Sequence, residues 1–205
     1  GLVKNKYRIE HASEDFKEAL SFKELDGAII ATPHIAHFDC AKEALKNKLH
    51  IIVEKPMTTS SKLAKQLYLL SKKNRKQIII PYGYNFTHYM DKARQFILNG
   101  KIGKIKHIDG SMSSGTLDLF GGKGLLEAKK HTFQPLKSTW SDPNKAGGYG
   151  WGQTSHLLGA IFKLINATPD KLFCMHLKSP TKVDYTNAVS MNFKENITAS
   201  ISGCA

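Results

Sequence analysis

Three short apolar runs, Ala28-Ile29-Ile30-Ala31, Ile51-Ile52-Val53 and Ile78-Ile79-Ile80, constrain this chain more than any other feature. They are continuous rather than alternating, and mostly β-branched. That is the pattern of strands buried on both faces of a parallel sheet. Each interval between them is long enough for one crossover helix. The first interval carries Ile35, Phe38, Ala41 and Leu45 at helical spacing. The second carries Leu63, Leu67 and Leu70 after a Thr58-Thr59-Ser60-Ser61 cluster suited to capping a helix N-terminus. An earlier unit is partly visible, with a strand predicted near Tyr7–His11 and a helix near 14–20. The pattern is that of a doubly wound α/β domain that begins in its middle.

The last third changes period. Phe173, Met175 and Leu177 alternate with Cys174 and His176; Val189, Met191 and Phe193 alternate with Ser190 and Asn192; Ile197, Ala199 and Ile201 alternate with Thr198 and Ser200. Lys194-Glu195-Asn196 separates the last two runs as a hairpin turn does. Half-polar strands of this kind leave one sheet face open or covered by helices. Between the two regions, Ser113 to Ala146 has little periodicity and reads as a long connection. Residues 151–164 then recover an apolar helical stripe of Leu157, Leu158, Ile161 and Leu164. The predicted fold is α/β: a truncated doubly wound parallel (Rossmann-like) domain over residues 1–86, then an α+β domain over 87–205 with a largely antiparallel sheet.

Composition removes several function classes. The net charge is +13, yet arginine occurs only at positions 8, 75 and 94. Nucleic-acid readers lean on arginine for bidentate contacts, so a lysine surplus reads as surface composition. Between Lys42 and Lys76 there are ten basic and two acidic residues, and the run Lys72, Lys73, Arg75 and Lys76 closes a predicted helix, where cations complement the helix dipole. No nucleic-acid partner is expected. No apolar run approaches the ~20 residues that span a bilayer, so no membrane partner is expected either. The three cysteines, Cys40, Cys174 and Cys204, form no CxxC and fit a reducing, cytoplasmic setting. His34 and His37 stand three residues apart, but no carboxylate spacing completes a metal shell, and no metal is expected.

Two strand ends carry candidate chemistry. The run Ala28–Ala31 ends in Thr32-Pro33-His34, and Ile51–Val53 ends in Glu54-Lys55-Pro56. In a parallel sheet both ends open at the edge where ligands bind. A lysine there becomes a proton carrier if burial lowers its pKa; otherwise Glu54 and Lys55 are a strand-end ion pair.

The combination Asp26-Gly27-Ala28-Ile29-Ile30-Ala31-Thr32-Pro33, His37, Ala41, Ala44-Leu45 and His50 to Pro56 resembles the glucose–fructose oxidoreductase, inositol dehydrogenase and MocA family of NAD(P)-dependent oxidoreductases. Gly83-Tyr84-Asn85, Gly100 to Ile105, Trp140, Gly147-Gly148 and His156 continue the likeness. The resemblance implies that Lys55 exchanges a proton with a substrate oxygen and that His156 pairs with it in acid–base chemistry, the two facing one cleft. It implies a cofactor, NAD or NADP, against Ala31, Thr32, Pro33, His37, Glu54, Pro56 and Asn85. It also implies a cis Lys55–Pro56 peptide and a homo-oligomer, dimer or tetramer, built on the outer face of the second sheet.

Departures from the family pattern bear on the site. Gly152 stands four residues before His156 and Gly159 three after it, where the family commonly has aspartates; Ser141 follows Trp140 where arginine is frequent. Tyr149, Trp151 and Gln153 then become the expected substrate contacts. No G-x-G-x-x-G follows a first strand, so the chain reads as an internal fragment of a longer enzyme, expected to be inactive by itself. The expected activity is hydride transfer between a nicotinamide cofactor and a sugar, cyclitol or related polyol. The alternative is a non-catalytic sugar-binding or regulatory relative of the same fold.

Overall fold

The computed structural model describes residues 2–123 and 136–205. The chain divides into two compact units, Gly1–Ile80 and Pro81–Ala205. The division falls before the expected boundary at 86, because the one-turn helix Gly83–Phe86 packs on a helix of the second unit.

In the first unit, α1 (Leu2–Tyr7) and α2 (Phe16–Ala19) precede β1 (Gly27–Ile30), α3 (His37–Lys46), β2 (His50–Val53), α4 (Ser61–Asn74) and β3 (Ile78–Ile79). The strands are parallel in the order β1-β2-β3, with Ile30 opposite Val53 and Ile52 opposite Ile79. The β-branched runs thus form the sheet, and α3 supplies its cover. Ala41, Ala44 and Leu45 of α3 are buried with Ile30, Ile51, Val53 and Leu67 in one core. Two alanines at that contact let helix and sheet approach closely. α4 starts at Ser60 without a side-chain cap; instead the Thr58 hydroxyl donates to the Ser60 carbonyl at 2.7 Å. It ends on Arg75 in the left-handed region (φ 53), with Lys72 and Lys73 in the last turn.

The predicted strand near Tyr7–His11 is not formed. Residues 2–7 are helical and 8–11 are irregular and exposed. A strand needs a neighbour to satisfy its main-chain groups, and among the described residues none pairs there.

In the second unit, α5 (His88–Leu98), β4 (His107–Ser113), α6 (Leu117–Phe120), α7 (Ser138–Ser141), α8 (Ser155–Leu164), β5 (Pro169–Lys178), β6 (Asp184–Phe193) and β7 (Ile197–Cys204) follow in order. The sheet order is β4-β7-β6-β5. β5, β6 and β7 are antiparallel neighbours, while β4 runs parallel to β7. α8 covers one face: Ile161 and Ile165 are buried with Met191, Phe193, Ala199 and Ile201. β4 is the strand that sequence reading missed. Gly110 sits at its centre, where an added Cβ would stand 3.4 Å from a Leu157 methyl. The packing that makes Gly110 useful is also what hides the strand's alternation.

The expected long connection, Ser113 to Ala146, contains α6, α7 and a short 3₁₀ turn at Pro143–Lys145. Its central part, with Gly124 and His131, lies outside the described residues. No helix among the described residues is long and apolar enough to cross a membrane.

Candidate active site

β1 and β2 are parallel neighbours, so their carboxyl ends open at one edge. The ladder continues one step past the strands, with the Glu54 N–H donating to the Ile30 carbonyl at 2.9 Å. Ala31, Thr32 and Pro33 follow β1 on the exposed rim, and Glu54, Lys55 and Pro56 follow β2. One side chain joins the two. His37, the first residue of α3, is 0% exposed. Its Nδ1 lies 2.8 Å from the Pro56 carbonyl oxygen and its Nε2 2.8 Å from the Thr32 carbonyl oxygen. The expectation that His37 itself meets a cofactor is therefore replaced. A fully buried ring engaged on two main-chain carbonyls sets the rim and presents nothing to it.

The Lys55–Pro56 peptide is cis and Pro56 is buried. The Glu54 carboxylate accepts the Lys55 backbone N–H at 3.1 Å, which shapes the turn. Lys55 is half-buried. Desolvation pushes its amine below the usual lysine value of 10.5, against the opposing pull of the Glu54 charge. The neutral amine, which alone accepts a proton, is thereby favoured at this rim. The neighbouring Cys40 thiol is pushed up by burial, against a hydrogen bond with the Thr32 side chain. A raised thiol is a poor nucleophile.

In the second unit the chain reaches α8 through a widened turn. Residues Gly150–Thr154 form a single turn of π-helix, a form that recurs at functional sites. Gly148 adopts φ +107, and an added Cβ there would strike the Asp184 carboxylate. That carboxylate accepts the Gly150 N–H at 2.8 Å, and Asn187 Nδ2 donates to Thr154 Oγ1 at 2.9 Å. The turn is thus bolted to β6 at both ends. Sequence reading missed Asp184 and Asn187, because nothing near them in the chain marks the contact.

Tyr149 is corrected from an expected substrate contact to a core residue. It is 0% exposed, its hydroxyl donates to the Met112 carbonyl at 2.9 Å, and its ring meets Phe120 edge-on. A buried phenol seeks a hydrogen-bond partner inside the protein, and Tyr149 has one. Trp151 is 40% exposed and lines a cavity of about 400 Å³ with Leu172, His176, Asp184 and Asn187, whose walls do not include His156. Gln153 and His156 are half-buried. The His156 ring lies 6.2 Å from the ring of Tyr82 and 6.2 Å from that of Tyr84, near-perpendicular to both. The Oδ1 atom of Asn85 is the buried side-chain polar atom that lacks a hydrogen-bond partner among the described residues. No group of three or more His, Cys, Asp or Glu among those residues is arranged to hold a metal ion.

The fold and the strand-end rim define the class: an α/β protein whose first unit carries the topology of a dinucleotide-binding sheet and whose second is a helix-covered mixed sheet. Residues 2–82 match the model of the oxidoreductase family with an NAD-binding Rossmann fold. Over that segment the chain is similar to the glucose–fructose oxidoreductase, inositol dehydrogenase and MocA family. It is similar to the uncharacterized oxidoreductase YfiI of Bacillus subtilis, 29% identical over 106 residues, which are 52% of this chain and 27% of that protein. It is similar to 1-carboxy-3-chloro-3,4-dihydroxycyclo hexa-1,5-diene dehydrogenase of Comamonas testosteroni, 22% identical over 72% of this chain and 33% of that protein. Its fold is that of myo-inositol 2-dehydrogenase from Lactobacillus plantarum, with a TM-score of 0.77 at 15% identity over 98% of this chain and 57% of the other. The matched parts thus span well under two thirds of these relatives' own lengths.

Proposed function

We propose that this chain forms part of a nicotinamide-dependent oxidoreductase that acts on a sugar, cyclitol or related polyol, with Lys55 as its acid–base group. The observation that carries the reading is the Lys55 amine. It sits half-buried, with lowered proton affinity, at the carboxyl ends of two adjoining parallel strands. Ligands of open α/β sheets bind at such ends.

The cofactor, NAD or NADP, supplies the hydride acceptor or donor. Ala31, Thr32 and Pro33 offer an exposed strand end to its nicotinamide half, and the Glu54–Pro56 turn frames the same edge. The unpartnered Asn85 Oδ1 fits an N–H donor such as a carboxamide. Lys55 takes the proton from a substrate hydroxyl in oxidation and returns it in reduction, which needs the amine neutral in one direction and charged in the other. His156 is the second acid–base residue and Gln153 a substrate contact on the same reading. The relatives' names support a ring-shaped polyhydroxylated substrate: one is a myo-inositol dehydrogenase and another acts on a dihydroxylated six-membered ring. The intact protein is a dimer or tetramer on this reading.

The test is a panel of cyclitols, aldoses and polyols offered to the intact protein with NAD and with NADP, followed by absorbance of the reduced cofactor. Turnover of at least one cyclic polyol is expected. Saturable binding of a sugar without any turnover on the panel supports instead the non-catalytic relative, which the replacement of carboxylate by Gly152 favours.

A further inference from the structure

The environment of His156 is built by an unusual fit between two distant positions. Gly159 follows His156 by three residues on α8, so both lie on one face of that helix. A Cβ added at Gly159 would lie 2.7 Å from Tyr82 Cγ, 2.9 Å from Cδ1 and 3.0 Å from Cδ2. These are the atoms at the root of the ring, not the far end of a flexible chain, so the Tyr82 ring is seated directly on bare helix. From that seat it meets the His156 imidazole near-perpendicularly, at 6.2 Å and 82°. Tyr84 meets the same imidazole at 6.2 Å and 79°.

The two rings are set by one short segment. The Asn85 N–H donates to the Tyr82 carbonyl at 2.8 Å, and both the N–H and the hydroxyl of Thr87 donate to the Tyr84 carbonyl. Tyr82 and Tyr84 therefore hold a fixed separation along the turn Gly83–Phe86, and α8 packs against it. Burial pushes the Tyr82 phenol upward, which keeps a neutral ring beside the imidazole across the physiological range.

We infer that Tyr82 is a positioning residue for His156, admitted to its seat by Gly159, and that with Tyr84 it clamps the imidazole in one orientation through ring edges. The inference rests on the proposed function only in giving that orientation a catalytic use; the clamp itself is read without turnover.

The experiment uses the 205-residue chain labelled with ¹⁵N and follows the histidine ring signals by long-range ¹H–¹⁵N spectra, with His156→Gln identifying the His156 signals. Tyr82→Ala and Gly159→Ala should each shift the His156 signals, because each removes the ring from its seat. Tyr82→Phe should leave them in place, because the ring and not the hydroxyl holds the imidazole. In the double variant Tyr82→Ala/Gly159→Ala, the glycine change should add nothing to the tyrosine change. In an active intact protein, Tyr82→Ala should lower kcat about two- to tenfold, the range of one edge-to-face contact, with Tyr82→Phe restoring it. Unmoved His156 signals in Tyr82→Ala overturn the inference. So do additive effects in the double variant, which mean that seat and ring act separately. If Tyr82→Ala does not fold, Gly159→Ala and Tyr82→Phe decide: equal His156 signals in those two variants also overturn it. Wild-type turnover in His156→Gln sinks the catalytic assignment of His156 while leaving the clamp to stand on the spectra.

Discussion

Around Lys55 the chain is fixed by hydrogen bonding to main-chain carbonyls; around His156 it is fixed by a ring seated on a glycine. In the first unit a single buried imidazole spans the Thr32 and Pro56 carbonyls at 2.8 Å each and so sets the spacing of two strand ends. In the second unit Tyr82 rests on Gly159, where an added Cβ would lie 2.7 Å from the Tyr82 ring. The first arrangement is directional and depends on one donor. The second is a matter of shape, and tolerates a lost polar atom while rejecting a methyl group. The difference teaches where each kind of site shows in a sequence. Strand-end hydrogen bonding accompanies a contiguous run, Glu54-Lys55-Pro56 after an apolar strand. Ring seats join positions distant in the chain and leave no local mark.

The sharpest way to break the comparison is His37→Ala. It removes the ring that bridges the buried Pro56 carbonyl and the Thr32 carbonyl and opens a void, and should cost about 3 kcal/mol or more of stability. Urea unfolding followed by amide exchange in β1 and β2 measures it. A cost near zero would mean that the strand ends hold themselves. The counterpart in the second unit is Tyr149→Phe, which removes the bond to the Met112 carbonyl but keeps the ring against Phe120. It should cost only about 1 kcal/mol. A cost equal to that of His37→Ala would erase the distinction between polar and shape-based fixing.

The smallest effect concerns Lys55 and stability. Its folded pKa is lowered from 10.5 by desolvation, so the folded chain binds fewer protons than the unfolded one as pH approaches 10.5. Stability therefore rises with pH through that interval, and the charged amine is a net cost below it. Lys55→Met should raise Tm slightly near neutral pH, with the gain shrinking as pH rises toward 10.5. A gain that grows with pH would reverse the assigned direction.

Much of the architecture was legible, and for physical reasons. β1, β2 and β3 carry unbroken apolar runs, yet Ile30, Ile51 and Val53 are buried whereas Ile29 is 77% and Ile79 45% exposed, so the expected burial on both faces is not met in the described residues. β6 and β7 have one covered face, which demands alternation. β5 alternates too, although all ten of its residues are exposed. What was not legible follows the same logic. The apolar alternation of β4 is interrupted at Gly110, which faces Leu157 on another element. Tyr7–His11 carries strand-like residues but finds no neighbour. Within the site, Lys55 and its cis proline stood out locally. By contrast, the inward turn of Tyr149, the pin made by His37 and the Asp184 contact to Gly150 depend on partners that only the fold supplies.

The central claim is that the amine at the end of β2 moves the substrate proton. Lys55→Met keeps the stem and the half-buried packing while removing the proton carrier. Steady-state kinetics of the intact protein on a substrate found by the polyol panel, wild type against Lys55→Met, tests this most directly. kcat should fall by about 10²–10⁴-fold, with cofactor affinity little changed. Turnover within a few-fold of wild type in a folded, cofactor-binding variant would contradict the claim and leave Lys55 as a strand-end ion-pair partner of Glu54.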